Sequence, residues 1–146
     1  MNIFLTGHSS GFGKALALYC LDNNLRVFGL SRSELNNQKI KLNITAIFTK
    51  EQTRQVYASL NPKVSSIISI FAGRIANAGV DPEQIMRFAT DLASANENIE
   101  TLWASSREVF NIIQAERCGT DIITLTPALI KGMKDLGKDL DQYSLE

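Results

Sequence analysis

Three segments of this chain end an apolar run with residue types that hold oxyanions. Ser69-Ile70-Phe71 leads into Gly73-Arg74, Leu102-Trp103-Ala104 leads into Ser105-Ser106-Arg107, and Thr124 and Thr126 lie on the last run. A guanidinium offers a planar, bidentate fork to phosphate, and hydroxyls and helix N–H groups can complete such a site. Asn43 and Thr45 alternate with Leu42, Ile44 and Ala46, so both face one side of their strand. A second phosphate signal opens the chain, in Thr6-Gly7-His8-Ser9-Ser10-Gly11-Phe12-Gly13. Glycines there permit a tight turn and a close backbone approach to phosphate at a helix amino terminus. Each signal has a plainer reading. Surface arginines often make ion pairs worth ~0–1 kcal/mol, and a glycine turn can serve only as a structural cap.

These residues must be carried by alternating strands and helices. Apolar runs predict strands at Ile3–Thr6, Arg26–Leu30, Leu42–Phe48, Ser66–Phe71, Glu100–Ala104 and Asp121–Thr126. Helical spacing predicts helices over Lys14–Leu21, Lys50–Leu60, a segment opened by Asp81-Pro82-Glu83 and running to about Ala95, Ser106–Glu116 and Pro127–Met133. Strands separated by helices imply a parallel sheet, because parallel neighbours need crossover connections. The fold class is therefore α/β, with a parallel sheet of about six strands in a single domain, 1–146. One connection is too short. Ser31–Lys41 offers only about ten residues, the lower limit for a crossover with its helix, and carries no helical apolar stripe. That places a seam between Ser33 and Ile40.

Composition narrows the function classes. The chain has 146 residues, 45% hydrophobic and 21% charged, with a formal net charge of zero. Nucleic acid and anionic membrane surfaces are poor partners for such a balance, because both require a positive field. Thr6–Gly11 interrupts the amino-terminal apolar run before a secretory signal could form, and no stretch reaches the ~18 apolar residues of a membrane span. A soluble, cytoplasmic protein is expected. Cys20 and Cys118 are far apart and predicted to be reduced packing residues. With one histidine, His8, and two distant cysteines, no metal site is expected. Trp103, inside a strand, is expected in the core.

Two resemblances sharpen this picture. The first 35 residues resemble the start of a short-chain dehydrogenase/reductase, whose TGxxxGxG signature is matched through Gly7, Gly11 and Gly13. That resemblance implies a Rossmann-type β-α-β segment and a nucleotide site in which Arg32 favours the 2′-phosphate of NADP. The family's Tyr-x-x-x-Lys is absent: none of Tyr19, Tyr57 and Tyr143 has Lys four places on. NADP is thus a cofactor the turn would accept, with none required.

Residues 40–146 resemble the second half of a transaldolase-family (β/α)8 barrel, through Leu42-Asn-Ile-Thr-Ala-Ile-Phe-Thr49, Ile70-Phe-Ala-Gly-Arg-Ile75, Leu102-Trp-Ala-Ser-Ser-Arg107 and Ile123-Thr-Leu-Thr-Pro-Ala-Leu-Ile-Lys131, with 42–146 as the half-barrel itself. The resemblance implies that Arg74, Ser105 and Arg107 bind a sugar phosphate or inorganic phosphate, and that Asn43, Thr45, Ser69 and Phe71 line the former active site. It also places the Schiff-base lysine and the acid/base carboxylates on strands that come before residue 40, where this sequence supplies neither; Lys41 falls outside the lysine motif. The expectation is a chimeric, catalytically incomplete half-barrel, preceded by a Rossmann-type unit and a junction at 36–41. Half a barrel leaves open sheet edges, so self-association is expected. Two rival expectations are a transaldolase-like enzyme with a site rebuilt by self-association, and an NADP-binding module without reductase activity.

Overall fold

The computed structural model describes residues 2–6, 18, 22, 26–30 and 41–145. Six strands form one sheet: β1 Asn2–Thr6, β2 Arg26–Leu30, β3 Lys41–Ile47, β4 Ser66–Ile70, β5 Ile99–Trp103 and β6 Ile122–Ile123. Every neighbouring pair is parallel, and the spatial order follows the chain order from β1 to β6. A sheet wound in one direction is the arrangement of a barrel, whereas a doubly wound sheet reverses at a switch point. The amino-terminal strands join the same sheet in register, with Ile3 opposite Val27 and Phe28 opposite Lys41. The seam inferred at 33–40 lies outside the described residues, as does most of the helix predicted over 14–21.

Helices follow the strands: α1 Lys50–Ser59, α2 Ala72–Asn77, α3 Glu83–Ala93, α4 Phe110–Arg117, α5 Pro127–Gly132 and α6 Leu140–Tyr143. Local chemistry sets their starts. Thr49 and Gln52 form a reciprocal capping box before α1, with Gln52 N–H donating to Thr49 Oγ1 and Thr49 N–H donating to Gln52 Oε1, each at 3.1 Å. Asp81 Oδ1 accepts the Glu83 N–H at 2.9 Å and Pro82 is already in helical conformation, as the Asp-Pro-Glu sequence predicts.

Two expectations need correction. The helix expected from Ser106 begins only at Phe110; Ser105 ahead of it stands at φ +66°, outside helical conformation, and the N–H groups of Arg107 and Glu108 donate to Asn111 Oδ1. The last strand is also shorter than Asp121–Thr126. Only Ile122–Ile123 is regular, and Thr126 instead caps α5 by accepting the Leu129 N–H at 3.3 Å. Helix α2 was not foreseen; it is six residues long and carries Gly73 inside it, a residue that argues against helix.

The core sits on the helix-covered face of the sheet. Ile68, Ile70 and Trp103 pack there with Met86 and Ala89 of α3, and all five are fully buried. Trp103 is thus a core residue, as expected. Cys118 is a free, buried thiol in the same cluster. Ile67, Leu102 and Ala104 form a separate, smaller cluster with Phe71 and Ile122, in keeping with the alternation of a strand's side chains between faces. Among the described residues no helix is long and apolar enough to cross a membrane.

Candidate functional site

Backbone bonds run past the carboxyl ends of the strands and align the turns that follow them. Phe71 N–H donates to Ile47 O (2.9 Å), Ala104 N–H to Ile70 O (2.8 Å) and Thr124 N–H to Trp103 O (3.0 Å). The candidate residues therefore sit at the end of the sheet where parallel α/β folds build their sites.

Gly73 joins two of these turns. Its N–H donates to Ala104 O at 3.3 Å. A Cβ added at Gly73 would fall on the Ser105 carbonyl oxygen and lie 2.7 Å from its carbon and 3.1 Å from Arg107 Cγ. Only glycine permits this approach. The Arg107 stem consequently passes beside Gly73, the residue next to Arg74. Arg74 itself lies over the Phe71 ring, its guanidinium carbon 5.3 Å from the centroid, and Phe71 meets Phe48 edge-on at 5.7 Å. Both arginines are exposed. Among the described residues neither pairs with a carboxylate. The surface ion-pair reading of these two arginines is not what the structure contains.

Strand geometry is unusual at the same end. Ser105 adopts φ +66° and Ala46 φ +62°, the only non-glycine residues with positive φ among those described. Each such conformation costs roughly 1–3 kcal/mol and persists only where its surroundings hold it. Ala46 lies where the β3–β4 register shifts, between Ile44 and Ile47, the pattern of a bulge. Ser105 begins the turn that carries Arg107.

The proposed lining residues lie on the face turned away from the helices. Asn43 pairs in register with Ile67, and Thr45 Oγ1 donates to Ser69 Oγ at 3.2 Å. Asn43 Oδ1 is buried without a partner among the described residues, and so is Ser106 Oγ. Lys41, at the opposite end of β3, forms an ion pair with Glu100 of β5. The structure thus brings Arg74, Ser105 and Arg107 to neighbouring turns, joined through Gly73, and sets Thr45 against Ser69. Gly7, Gly11, Gly13 and Arg32 lie outside the described residues.

Two residues gain a role that sequence reasoning missed. Gly73 was visible only as part of a strand end, although a glycine between an apolar strand and an arginine was a signal for close backbone approach. Asn111 was hidden inside an amphipathic helix pattern. It is 4% exposed, and a buried asparagine four residues after Arg107 was its only mark.

Known proteins bear on this site. The Transaldolase/Fructose-6-phosphate aldolase family matches residues 32–145. A "Probable transaldolase" of Paracoccus denitrificans (strain Pd 1222) is 32% identical over 118 residues, covering 77% of this chain and 52% of its own. A "Probable transaldolase" of Ruegeria sp. (strain TM1040) is 34% identical over 98 residues, covering 64% of this chain and 42% of its own. This chain spans about half the length of the curated relatives it matches. A solved short-chain dehydrogenase/reductase from Burkholderia vietnamiensis aligns over 99% of this chain and 92% of its own, at 15% identity and a TM-score of 0.28, too low a likeness to carry an argument.

Proposed function

This chain belongs to the transaldolase/fructose-6-phosphate aldolase family, and from that premise we propose that it is a catalytically incomplete member that binds phosphate or a sugar phosphate through Arg74, Ser105 and Arg107. The observation that carries the reading is the Gly73–Ser105 approach, which sets Arg74 of α2 beside the turn of Arg107, two arginines with no carboxylate partner among the described residues. Two uncompensated guanidiniums beside a hydroxyl suit a dianionic group. The incompleteness reading rests on the chemistry an aldol transfer needs. It requires an amine that forms a Schiff base and carboxylates that move protons. Lys41, the lysine on the described strands, is engaged by Glu100 at the far end of β3.

Titration with inorganic phosphate, followed by amide chemical shifts, tests the site. Arg74→Ala and Arg107→Ala should each weaken binding at least tenfold, a loss of about 1.4 kcal/mol, while Arg54→Ala leaves it unchanged. Equal affinity in all of these variants would remove the phosphate reading. Borohydride reduction in the presence of fructose 6-phosphate should give no lysine adduct by mass spectrometry. An adduct would instead favour the enzyme whose site is rebuilt between copies.

The amino-terminal strands are read as a short-chain dehydrogenase/reductase start fused to the half-barrel. The TGxxxGxG signature supports this, as does a family match that begins only at residue 32. NADPH fluorescence titration tests whether Gly7, Gly11, Gly13 and Arg32 still bind a nucleotide. Among the described residues β1 and β6 each pair on one side only, which supports self-association. Light scattering should therefore give a mass above the 16.1 kDa of one chain.

A further inference from the structure

We infer that Asn111 is a positioning residue for the anion site, holding the Ser105–Arg107 turn in the shape that presents Arg107. The inference rests on the phosphate reading above. Asn111 is the second residue of α4, yet its side chain reaches backward out of the helix. Its Oδ1 accepts the N–H of Arg107 at 2.8 Å and of Glu108 at 3.2 Å, and its Nδ2 donates to Gln114 Oε1 at 2.8 Å. An amide oxygen has two lone pairs, so both acceptor directions are used. The bond to Gln114 fixes which way the amide faces.

A helix is ordinarily capped by the residue just before it, but Val109 offers α4 no side-chain cap. The Asn111 side chain instead bonds the backbone of the segment ahead of the helix, from Ser106 to Val109, which stays outside it. Ser105, at φ +66°, opens that segment. A strained residue keeps its conformation only where neighbours impose it, and two constraints act on this turn. Gly73 abuts the Ser105 carbonyl from β4's turn, and Asn111 grips the backbone at 107 and 108 from α4. The Arg107 side chain leaves the backbone between them, its stem beside Gly73 and its residue exposed.

The test uses the full chain and inorganic phosphate. Asn111→Leu keeps the volume and removes both acceptors. It should weaken phosphate binding about tenfold, the scale on which ligand-orienting groups act at metal sites. It should also speed hydrogen exchange at the Arg107 and Glu108 amides selectively, leaving the β4 and β5 amides slow. Asn111→Asp keeps an acceptor oxygen and should restore slow exchange at both amides. A general loss of packing would raise exchange throughout α4 and the strands and would not be rescued by aspartate. Unchanged phosphate affinity in Asn111→Leu, with Arg107→Ala still weakened, would overturn the positioning role and leave the phosphate site standing. Unchanged affinity in Arg74→Ala and Arg107→Ala would sink the phosphate reading itself. Rapid exchange of the Arg107 and Glu108 amides in the unaltered protein would also overturn the role, whether or not the leucine variant folds.

Discussion

The two faces of the sheet are built on opposite plans. Against the helices, β4 and β5 present Ile68, Ile70 and Trp103, which pack with Met86 and Ala89 and exclude solvent completely. On the other face the same strands present Ile67, Ser69 and Leu102, alongside the hydroxyl of Thr45, the Asn43 amide and the Lys41–Glu100 ion pair. The first face is filled mainly by apolar side chains, and its buried hydroxyls, Ser66 and Thr101, are held by Val64 O and Asp121 Oδ2. The second carries hydrogen-bonding groups leading toward the turns that hold Arg74 and Arg107. One pair of strands thus separates stability from candidate chemistry by the parity of residue position alone.

That division can be broken most sharply from the packed side. Ile68→Ala should cost ~2–5 kcal/mol of folding free energy, since the site is closed on all sides and the deleted carbons leave a cavity. Urea unfolding measures this, and phosphate affinity of the folded protein should not change. A loss of affinity matching the loss of stability would show that the two faces are not independent. Gly73→Ala tests the connection between them. The added methyl meets the rigid Ser105 backbone, so a cost of ~1–3 kcal/mol is expected from overpacking. Unlike the isoleucine change, it should also abolish measurable phosphate binding, because the two arginine turns are pushed apart.

Smaller effects refine the comparison. Ser69→Ala removes the acceptor of the Thr45 hydroxyl and should cost ~0.5–1.5 kcal/mol, the net value of an ordinary hydrogen bond. The least effect should come from Cys118, on the packed face. Burial pushes its thiol above the ordinary value, and the nearby Arg87 only partly opposes this. A folded-state value raised above the unfolded one of ~8.5 gives a stability contribution that is complete below that pH. The contribution fades as pH rises through the folded value, because the unfolded chain ionises first. Urea midpoints measured from neutral to alkaline pH should therefore fall more steeply in the unaltered protein than in Cys118→Ala.

The strands and most helix starts were legible from local chemistry. Apolar runs gave β2 at Arg26–Leu30, helical spacing gave α1 from Lys50, and Asp81-Pro82-Glu83 gave the start of α3. Local signals failed where a distant or backward contact competed with them. The segment ahead of α4 is bonded by a side chain four residues downstream of Arg107, and α2 forms although Gly73 disfavours helix. At the site, the residue types were readable in Phe71-Ala72-Gly73-Arg74 and Ser105-Ser106-Arg107. Which of them share a turn boundary was not.

By itself the sequence determined the α/β class, the parallel pairing, the parity that puts Asn43 with Thr45, and resemblance to a transaldolase-like family from about residue 40 onward. Periodicity and crossover length are properties of a few adjacent residues, so they survive without knowledge of the rest of the chain. Only the tertiary structure decided that β1 and β2 extend the sheet in chain order. It alone decided that Gly73 lies against Ser105, and that Asn111 Oδ1 accepts from the Arg107 and Glu108 amides. The sheet order and the Gly73 approach depend on atoms brought together from distant parts of the chain, and the Asn111 bonds on a side chain that turns back along its own segment.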